Sequence, residues 1–481
     1  MTIVTKFGGT SVGSAERMLQ VASIIENLSK NDKTIVVLSA MSSYIKAEGT
    51  TSMLLEAADD ILLPNSQLYL DIVSKIESNH LKAVAEGVKD AEIRAKAEHD
   101  VSEYCERLRS FMSAAEIIDE ISPRSRDIII SVGEKLSARI FTAVLQDRGI
   151  KASFVNLEHL VQQKFDPNNL DQSFYDYLAS RLAETINALE PDSVPVVTGY
   201  LGPIPGSIVT TIGRGYTDLT AALIAVGLKA GELQIWKEVD GIFTADPRKA
   251  PRAHLLNAIS PEEAAELTYY GSEVIHPFTM DQVIRASIPI RIKNAFKPDG
   301  AGTVIVPQSD LPEETAVDGD SAVAVHRAMA TAITIKENIT VLNIHSNRKS
   351  VSHGFFAKIF STLDKYGIVV DLISTSEVHV SMALGPHISE EKIQLAVEEL
   401  QKYALVDTLS NMTILSLVGR EMRRMVGIAA LMFSTLSKHS INLEMISQGA
   451  SEINISCVIE GAKGVLALRV VHDACILGDD E

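Results

Sequence analysis

The residues best equipped for chemistry sit at the very start of the chain. Lys6-Phe7-Gly8-Gly9-Thr10-Ser11-Val12 follows a short apolar run, Ile3-Val4, and precedes an amphipathic stretch. A glycine pair between a strand and a helix lets backbone N–H groups approach an anion closely. Lys6 adds a mobile positive charge at the same place. The combination suits a phosphate cradle, and an ordinary strand-to-helix turn uses the same residues. It is not a P-loop, because Ser14 stands where that motif needs a lysine after Gly8 and Gly13.

Three further clusters could serve such a cradle. Gly213-Arg214-Gly215-Tyr216-Thr217-Asp218 precedes an Ala/Leu-rich helical stretch. Arg214 can fork onto a carboxylate through two parallel hydrogen bonds; the alternative is a solvated arginine before a helix capped by Thr217 or Asp218. Ser131-Val132-Gly133-Glu134 reads as the opening of a helix over 134–145. A carboxylate in a first turn is favoured by the helix dipole whether or not it binds anything. Trp236 to Arg248 is a β-rich run that ends in Asp240-Gly241 and then Asp246-Pro247-Arg248. Ligands of open α/β sheets lie beyond strand carboxyl ends, although Asp-Gly and Asp-Pro are also common loop pairs. Ser39, closing the run Ile35–Leu38, and Thr51, after Gly49, are either polar tips at the sheet edge or turn residues.

The elements that must position these groups alternate. Strands are expected at 34–38, 194–198, 233–239 and 288–292, and helices at 14–28, 134–145, 218–228 and 261–269. Ser14 is a good N-cap for a helix whose apolar face is Met18, Val21, Ile24, Ile25 and Leu28. This alternation favours a layered α/β domain with a largely parallel sheet. Residues 67–120 are helix-rich and charged and read as an inserted or edge helical subdomain. Residues 308–320 have no apolar period and read as a linker.

Beyond the linker the chain repeats itself. Phe360-Ser361-Thr362-Leu363-Asp364-Lys365 recurs as Phe433-Ser434-Thr435-Leu436-Ser437-Lys438, Gly354 recurs as Gly427, and Ile373-Ser374 as Ile446-Ser447. Each copy reads strand, helix, strand, strand, with Phe355, Phe356, Ile359, Phe360 and Leu363 on one helical face in the first.

The 481 residues exceed the size of a single core. With 46% apolar and 22% charged residues the chain reads as globular. A net charge of −18 argues against broad nucleic-acid binding but permits anionic small substrates at local cations. Three cysteines without metal-type spacing point to a reducing compartment. The longest uncharged stretch, 193–213, is broken by Pro, Gly and Thr, so no membrane span is expected. The N-terminal residues carry no apolar signal core; a cytoplasmic location is expected.

Taken in order, Lys6–Val12, Gly213–Asp218, Trp236–Arg248 and Thr268-Tyr269-Tyr270-Gly271-Ser272-Glu273-Val274-Ile275-His276-Pro277 resemble the aspartate kinase family over nearly the whole chain. The duplicated module resembles that family's tandem ACT domains. Trp236–Gly241 and Ile344-His345-Ser346-Asn347 look most like its fungal, monofunctional branch. The resemblance implies an α/β three-layer amino-acid-kinase (carbamate-kinase-like) domain over 1–307, a linker over 308–328, and two α+β ferredoxin-like ACT domains over 329–411 and 412–481. The second ACT module is expected to be inserted into the first. The implied reaction uses ATP and Mg²⁺ to phosphorylate L-aspartate to 4-phospho-L-aspartate, on the route to threonine, methionine and isoleucine.

By similarity, Lys6 and Asp218 are catalytic, and Ser39, Thr51, Glu134, Arg214 and Thr217 bind substrate, with Glu134 on the ammonium and Arg214 on the α-carboxylate. Gly8, Gly9, Lys237, Glu238, Phe243, Asp246 and Arg248 bind nucleotide. Ser352, Phe355, Phe356, Asp371, Thr375 and Glu377 bind an inhibitory amino acid, expected to be threonine, with Asp371 on its ammonium. No resident protein metal site is implied, and a homodimer or dimer of dimers through ACT domains is expected. The sequence departs from the common bacterial pattern: Lys237 and Glu238 replace a Thr-Asp pair, Phe243 a tyrosine and Glu273 a lysine. The alternatives are a catalytically inactive amino-acid sensor, or another amino-acid kinase such as acetylglutamate or glutamate 5-kinase, which lack tandem ACT modules. Length and the absence of a Gly-x-Gly-x-x-Gly motif exclude a fusion with homoserine dehydrogenase.

Overall fold

The computed structural model describes residues 1–43, 45, 48–63, 66–166, 170–208, 215–269, 275–307, 330–346, 354–376, 378–420, 422, 425–449 and 453–478. They pack as two compact units. The first comprises Met1–Ile242, Asn257–Pro261 and Ile275–Pro312; the second comprises Phe243–Leu256, Glu262–Val274 and Glu313–Glu481. The expected single cut after residue 307 is thus replaced by several crossings, because two short segments of the kinase-like region pack within the second unit. The expected linker lies outside the described residues.

In the first unit, the described strands are β1 (Thr2–Phe7), β2 (Lys33–Leu38), β3 (Ala152–Val155), β4 (Val194–Thr198), β5 (Glu232–Lys237), β6 (Ala258–Ile259), β7 (Ile290–Asn294) and β8 (Thr303–Ile305). They form one sheet in the order β3-β4-β2-β1-β5-β7-β8-β6. All neighbours pair in parallel except β7 with β8. Helices α1 (Ala15–Leu28), α2 (Thr50–Asp60), α3 (Leu68–Gly87), α4 (Ala91–Ile118) and α5 (Pro123–Asp147) share a core with Phe7, Val36, Leu38, Val196 and Trp236 on one sheet face. The charged α3–α4 region is therefore part of this layer and not a separate subdomain. Helices α6 (Gln172–Asn187) and α7 (Tyr216–Leu228) pack on each other, and α7 also packs against β1, β2 and β5.

Local sequence explains these elements. Ser14 caps α1 by accepting from the Arg17 N–H. α7 is apolar on nearly every side and buried accordingly. Helix α5 starts well before the expected residue 134. Ser122 caps it, Pro123 occupies its first turn, and the helix is buried along most of its length. Glu134 consequently sits in mid-helix, not in a first turn.

The second unit contains helices α8 (Pro261–Tyr269, all but its first residue), α10 (Phe355–Lys365), α11 (Glu390–Leu400), α12 (Ile428–Lys438) and α13 (Gly464–His472), while α9 (Pro277–Arg285) belongs to the first. Its strands are β9 (Ala332–Ser346), β10 (Val370–Thr375), β11 (His379–Leu384), β12 (Ala404–Val418), β13 (Met445–Ser447) and β14 (Asn454–Glu460), in the order β10-β11-β9-β12-β14-β13. The two copies therefore share a sheet. The first uses the later half of β9 with β11 and the early half of β12. The second uses the later half of β12 with β14, and its last strand is the early half of β9, where Ile333 faces Leu417 and Ile335 faces Leu415. The nesting is the reverse of the expected one: the first copy lies inside the second. The strand missing near Leu477 is supplied from before the first copy. Asn338 and Asn411, both at φ 58°, break the two long strands at matching places. Gly354 and Gly427 begin the matching helices at φ 79° and 96°, where an L side chain is strained.

One steric constraint in the first unit is testable. A Cβ on Gly9 would lie 2.3 Å from the Ala40 carbonyl oxygen. Gly9→Ala should cost about 1–3 kcal/mol, as overpacking typically does, and lower the thermal unfolding midpoint by several degrees. A midpoint equal to wild type would show that the Ala40 loop moves freely.

Candidate active site

Parallel pairing puts the carboxyl ends of the central strands on one edge. Phe7 lies beside Leu38 and Trp236, Leu38 beside Thr198, and Trp236 beside Lys293. Side chains alternate along a strand. Phe7 turns to the α1–α5 face, where it stacks on Trp236 at 5.6 Å, and Lys6 turns to the α7 face. There Lys6 Nζ lies 2.8 Å from Asp218 Oδ1, with both side chains largely buried. Asp218 is in the first turn of α7, whose N-cap is Gly215 and not Thr217. Burial alone raises the Asp218 carboxyl. Lys6 and Lys237, with His276 further off, outweigh it and hold the group below the ordinary carboxylate range.

The other expected residues surround this pair. Lys237 is the last residue of β5, and Glu238 is exposed beyond it. Ser39 follows β2, its N–H donating to the Phe7 carbonyl at 3.2 Å. Gly8 caps a short 3-10 turn over Gly9–Val12, and the Gly9 carbonyl accepts from Ser42 N–H at 3.0 Å. Thr217 is buried against Gly199, where an added Cβ would lie 2.6 Å from its methyl.

Glu134 approaches from α5. A Cβ on Gly133 would meet Ala40 Cβ at 2.7 Å, so only glycine admits this approach. Glu134 Oε1 accepts from the Tyr216 hydroxyl at 2.6 Å, while Oε2 is buried with no hydrogen-bond partner. Burial pushes this carboxyl up to about 7 against the opposing pull of Tyr216, the Ala40 N–H and Lys135. Thr51 lies in the first turn of α2 and opposes part of the rise that burial gives the Tyr216 phenol.

Arg214, Ser352 and Glu377 lie outside the described residues. Phe243, Asp246 and Arg248 pack in the second unit; Phe243 bridges to Leu255, and Arg248 forks onto Asp246 at 3.0 and 2.9 Å. In the first ACT copy, Phe355 is buried in the module's core with Phe356 packed against it. Thr375 is exposed at the end of β10. Asp371 is already paired with Lys336 at 2.6 Å, so an effector ammonium there must share or displace that lysine.

Two residues escaped the sequence reading. Tyr216 carries no expected role; a buried phenol must find a polar partner. Asp127, buried on α5, accepts from Ser207 Oγ at 2.6 Å and Ile208 N–H at 2.9 Å. It thereby ties down the loop just before residues 209–214, and nothing in its local sequence marks it.

The comparisons with known proteins identify the family. Residues 1–294 match the amino acid kinase family and residues 415–475 an ACT domain. The chain is 50% identical to the aspartokinase of Schizosaccharomyces pombe over 98% of its own length and 92% of the relative's. It is 48% identical to that of Saccharomyces cerevisiae with the same coverage. The chain belongs to the aspartokinase family. It is an ATP-dependent phosphotransferase with a carboxyl acceptor. The crystal structure of E. coli aspartokinase III in complex with aspartate and ADP superposes with a TM-score of 0.75 at 26% identity, covering 98% of this chain and 99% of that one.

The Lys6–Asp218 pair predicts a stability effect. Removing one partner of a fully buried pair costs about 3–5 kcal/mol; some solvent contact at both side chains reduces this to about 2 kcal/mol. Asp218→Ala should therefore lower the thermal midpoint measurably, and Asp218→Asn should recover most of it without recovering turnover. Equal turnover by Asp218→Asn and wild type would remove the carboxylate from the chemistry.

Proposed function

We propose that this chain transfers the γ-phosphoryl group of MgATP to the β-carboxylate of L-aspartate, giving 4-phospho-L-aspartate and ADP. The observation that carries the reading is the convergence, at one sheet edge, of the Lys6–Asp218 pair with a buried carboxylate whose second oxygen has no partner. The substrate's β-carboxylate is already ionised at pH 7, so no proton has to move. A carboxylate oxygen forms the new bond to phosphorus as the bond to the ADP oxygen breaks. The obstacle is the approach of two anions, and the protein's task is positioning and charge stabilisation.

Lys6 contacts the transferred phosphoryl and gives up part of its interaction with Asp218 to do so. Lys237 adds positive potential from the neighbouring strand. Glu134 Oε2 receives the substrate ammonium, and Arg214 receives the α-carboxylate. Mg²⁺ neutralises phosphate charge when bound. Among the described residues no group of three or more His, Cys, Asp or Glu could hold a metal ion.

The product enters the route to threonine, methionine and isoleucine. Threonine inhibits by binding the first ACT module near Phe356, Asp371 and Thr375, favouring one global state over another. E. coli aspartokinase III in complex with lysine and aspartate, in its T-state, superposes on the chain with a TM-score of 0.79, which supports an amino-acid effector in general. The enzyme works in the cytoplasm as a homo-oligomer; among the described residues no helix is long and apolar enough to cross a membrane.

An ADP-release assay with ATP, Mg²⁺ and each of aspartate, glutamate and acetylglutamate should give turnover with aspartate alone, reduced by millimolar threonine. Lys6→Ala should lower kcat by at least ~100-fold, as loss of one transition-state contact does, and leave threonine binding by calorimetry unchanged. Wild-type kcat in Lys6→Ala, or equal turnover of acetylglutamate, would refute the assignment.

A further inference from the structure

We propose that Tyr216 is a positioning residue for the amino-acid substrate: its hydroxyl fixes one oxygen of Glu134 so that the other is presented to the substrate ammonium. The inference rests on the reading of Glu134 given above. Tyr216 and Glu134 are almost completely buried, at 6% and 1% exposure. They come from different helices, α7 and α5, and meet beyond the strand ends at 2.6 Å between Oη and Oε1. A carboxylate with one oxygen bound and the other buried without a partner is a directed acceptor, and a buried acceptor is costly until something donates to it. The ring of Tyr216 has little freedom. Tyr200 packs edge-on against it at 6.3 Å and 88°.

The helical geometry supports a recognition role. Residues two apart on a helix point in widely different directions. Tyr216 therefore reaches Glu134 on α5 while Asp218, in the same turn, reaches Lys6 on β1. One turn of α7 thus carries both the support for the substrate-binding carboxylate and the partner of the phosphoryl-binding lysine. Burial, then the neighbouring Glu134, keep the Tyr216 phenol protonated far above its ordinary range, so it stays a donor.

The groups facing Glu134 are Tyr216 from α7, Tyr200 from the segment after β4, the Ala40 N–H, and Lys135 on its own helix. Lys135 is itself held by Glu158 at 2.9 Å. Of these, Tyr216 is the one side chain hydrogen-bonded to the Glu134 carboxylate among the described residues. Losing its hydroxyl should make Glu134 harder to ionise, because that hydrogen bond favours the charged form. The acid limb of kcat/KM for aspartate, expected near the Glu134 value of about 7, should move to higher pH.

The experiment compares wild type, Tyr216→Phe, Glu134→Gln and the double variant, with kcat and KM for aspartate and ATP measured from pH 6 to 9. Tyr216→Phe should raise KM for aspartate roughly tenfold, the scale of one hydrogen bond to a charged group. It should leave kcat and KM for ATP within about twofold and shift the acid limb upward. Glu134→Gln should raise KM for aspartate further and abolish that limb, and Tyr216→Phe should add little on top of it. If Glu134→Gln raises KM but Tyr216→Phe moves neither KM nor the limb, the positioning role is wrong while the Glu134 reading stands. If Glu134→Gln leaves KM unchanged, the Glu134 reading itself fails. A parallel loss of kcat and both KM values in Tyr216→Phe would assign Tyr216 a purely structural role and overturn the proposal. Should that variant not fold, 3-fluorotyrosine at position 216 keeps the shape and strengthens the donor. It should move the limb to lower pH, and an unmoved limb would overturn the proposal.

Discussion

The site depends on two backbones that come close to Ala40 because neither carries a side chain. Gly9 approaches the Ala40 carbonyl from the turn after β1, and Gly133 approaches its Cβ from the middle of α5. A methyl group at either place would push the loop after β2 outward. Glu134 would then lose the Ala40 N–H that supports its charge, and α5 would stand away from the strand ends. The steric constraint precedes the electrostatic one: Glu134 is buried enough to titrate near neutrality only because the chain can close on this loop. The glycines that read as a phosphate cradle thus also act as packing contacts, and the second role is set by distance alone.

Charge on this chain is local. A molecule with a net charge of −18 must still bring a nucleotide tail and a carboxylate together. Two unit charges about 4 Å apart at a protein surface interact by roughly 4 kcal/mol, enough to decide whether the acceptor approaches. Lys6 and Lys237 lie on adjacent strands at the carboxyl-end edge of the sheet. Those same cations hold the Asp218 carboxyl below its ordinary range, and Asp218 in turn holds Lys6 at 2.8 Å. The alternation of β1 makes this possible, since Lys6 faces α7 while Phe7 anchors the opposite face on Trp236.

Much of this was legible where the signal was local. The strand Val194–Thr198 and helix Pro261–Tyr269 have the bounds read from the sequence, and Ser14 caps α1 as its type requires. The expected helix over 134–145 covers only the later part of α5, which starts at Pro123. Asp127 is buried only because the Ser207–Ile208 backbone, far along the chain, needs its carboxylate. Tyr216 was overlooked for a similar reason, since its partner lies on another helix. The bounds expected for the first ACT module, 329–411, include residues 332–336, and the expected nesting came from the resemblance alone. Pairing in the sheet assigns them to the second, and sequence period carries no information about which strand a strand lies beside.

Nested copies have a mechanical consequence. With β9 and β12 each serving both modules, neither copy can change its sheet geometry without moving a strand of the other. A further element is tied into the same unit. Ile333 of β9 donates to the Thr244 carbonyl at 2.8 Å, and Thr244 Oγ1 lies 3.0 Å from His472 Nε2 at the end of α13. Arg469 of α13 bonds the Lys249 carbonyl, and Lys249 reaches Glu337 of β9 at 2.6 Å. Residues 243–256 are therefore held by β9 and α13 together. Along the chain this segment begins only a few residues beyond Lys237, the last residue of β5.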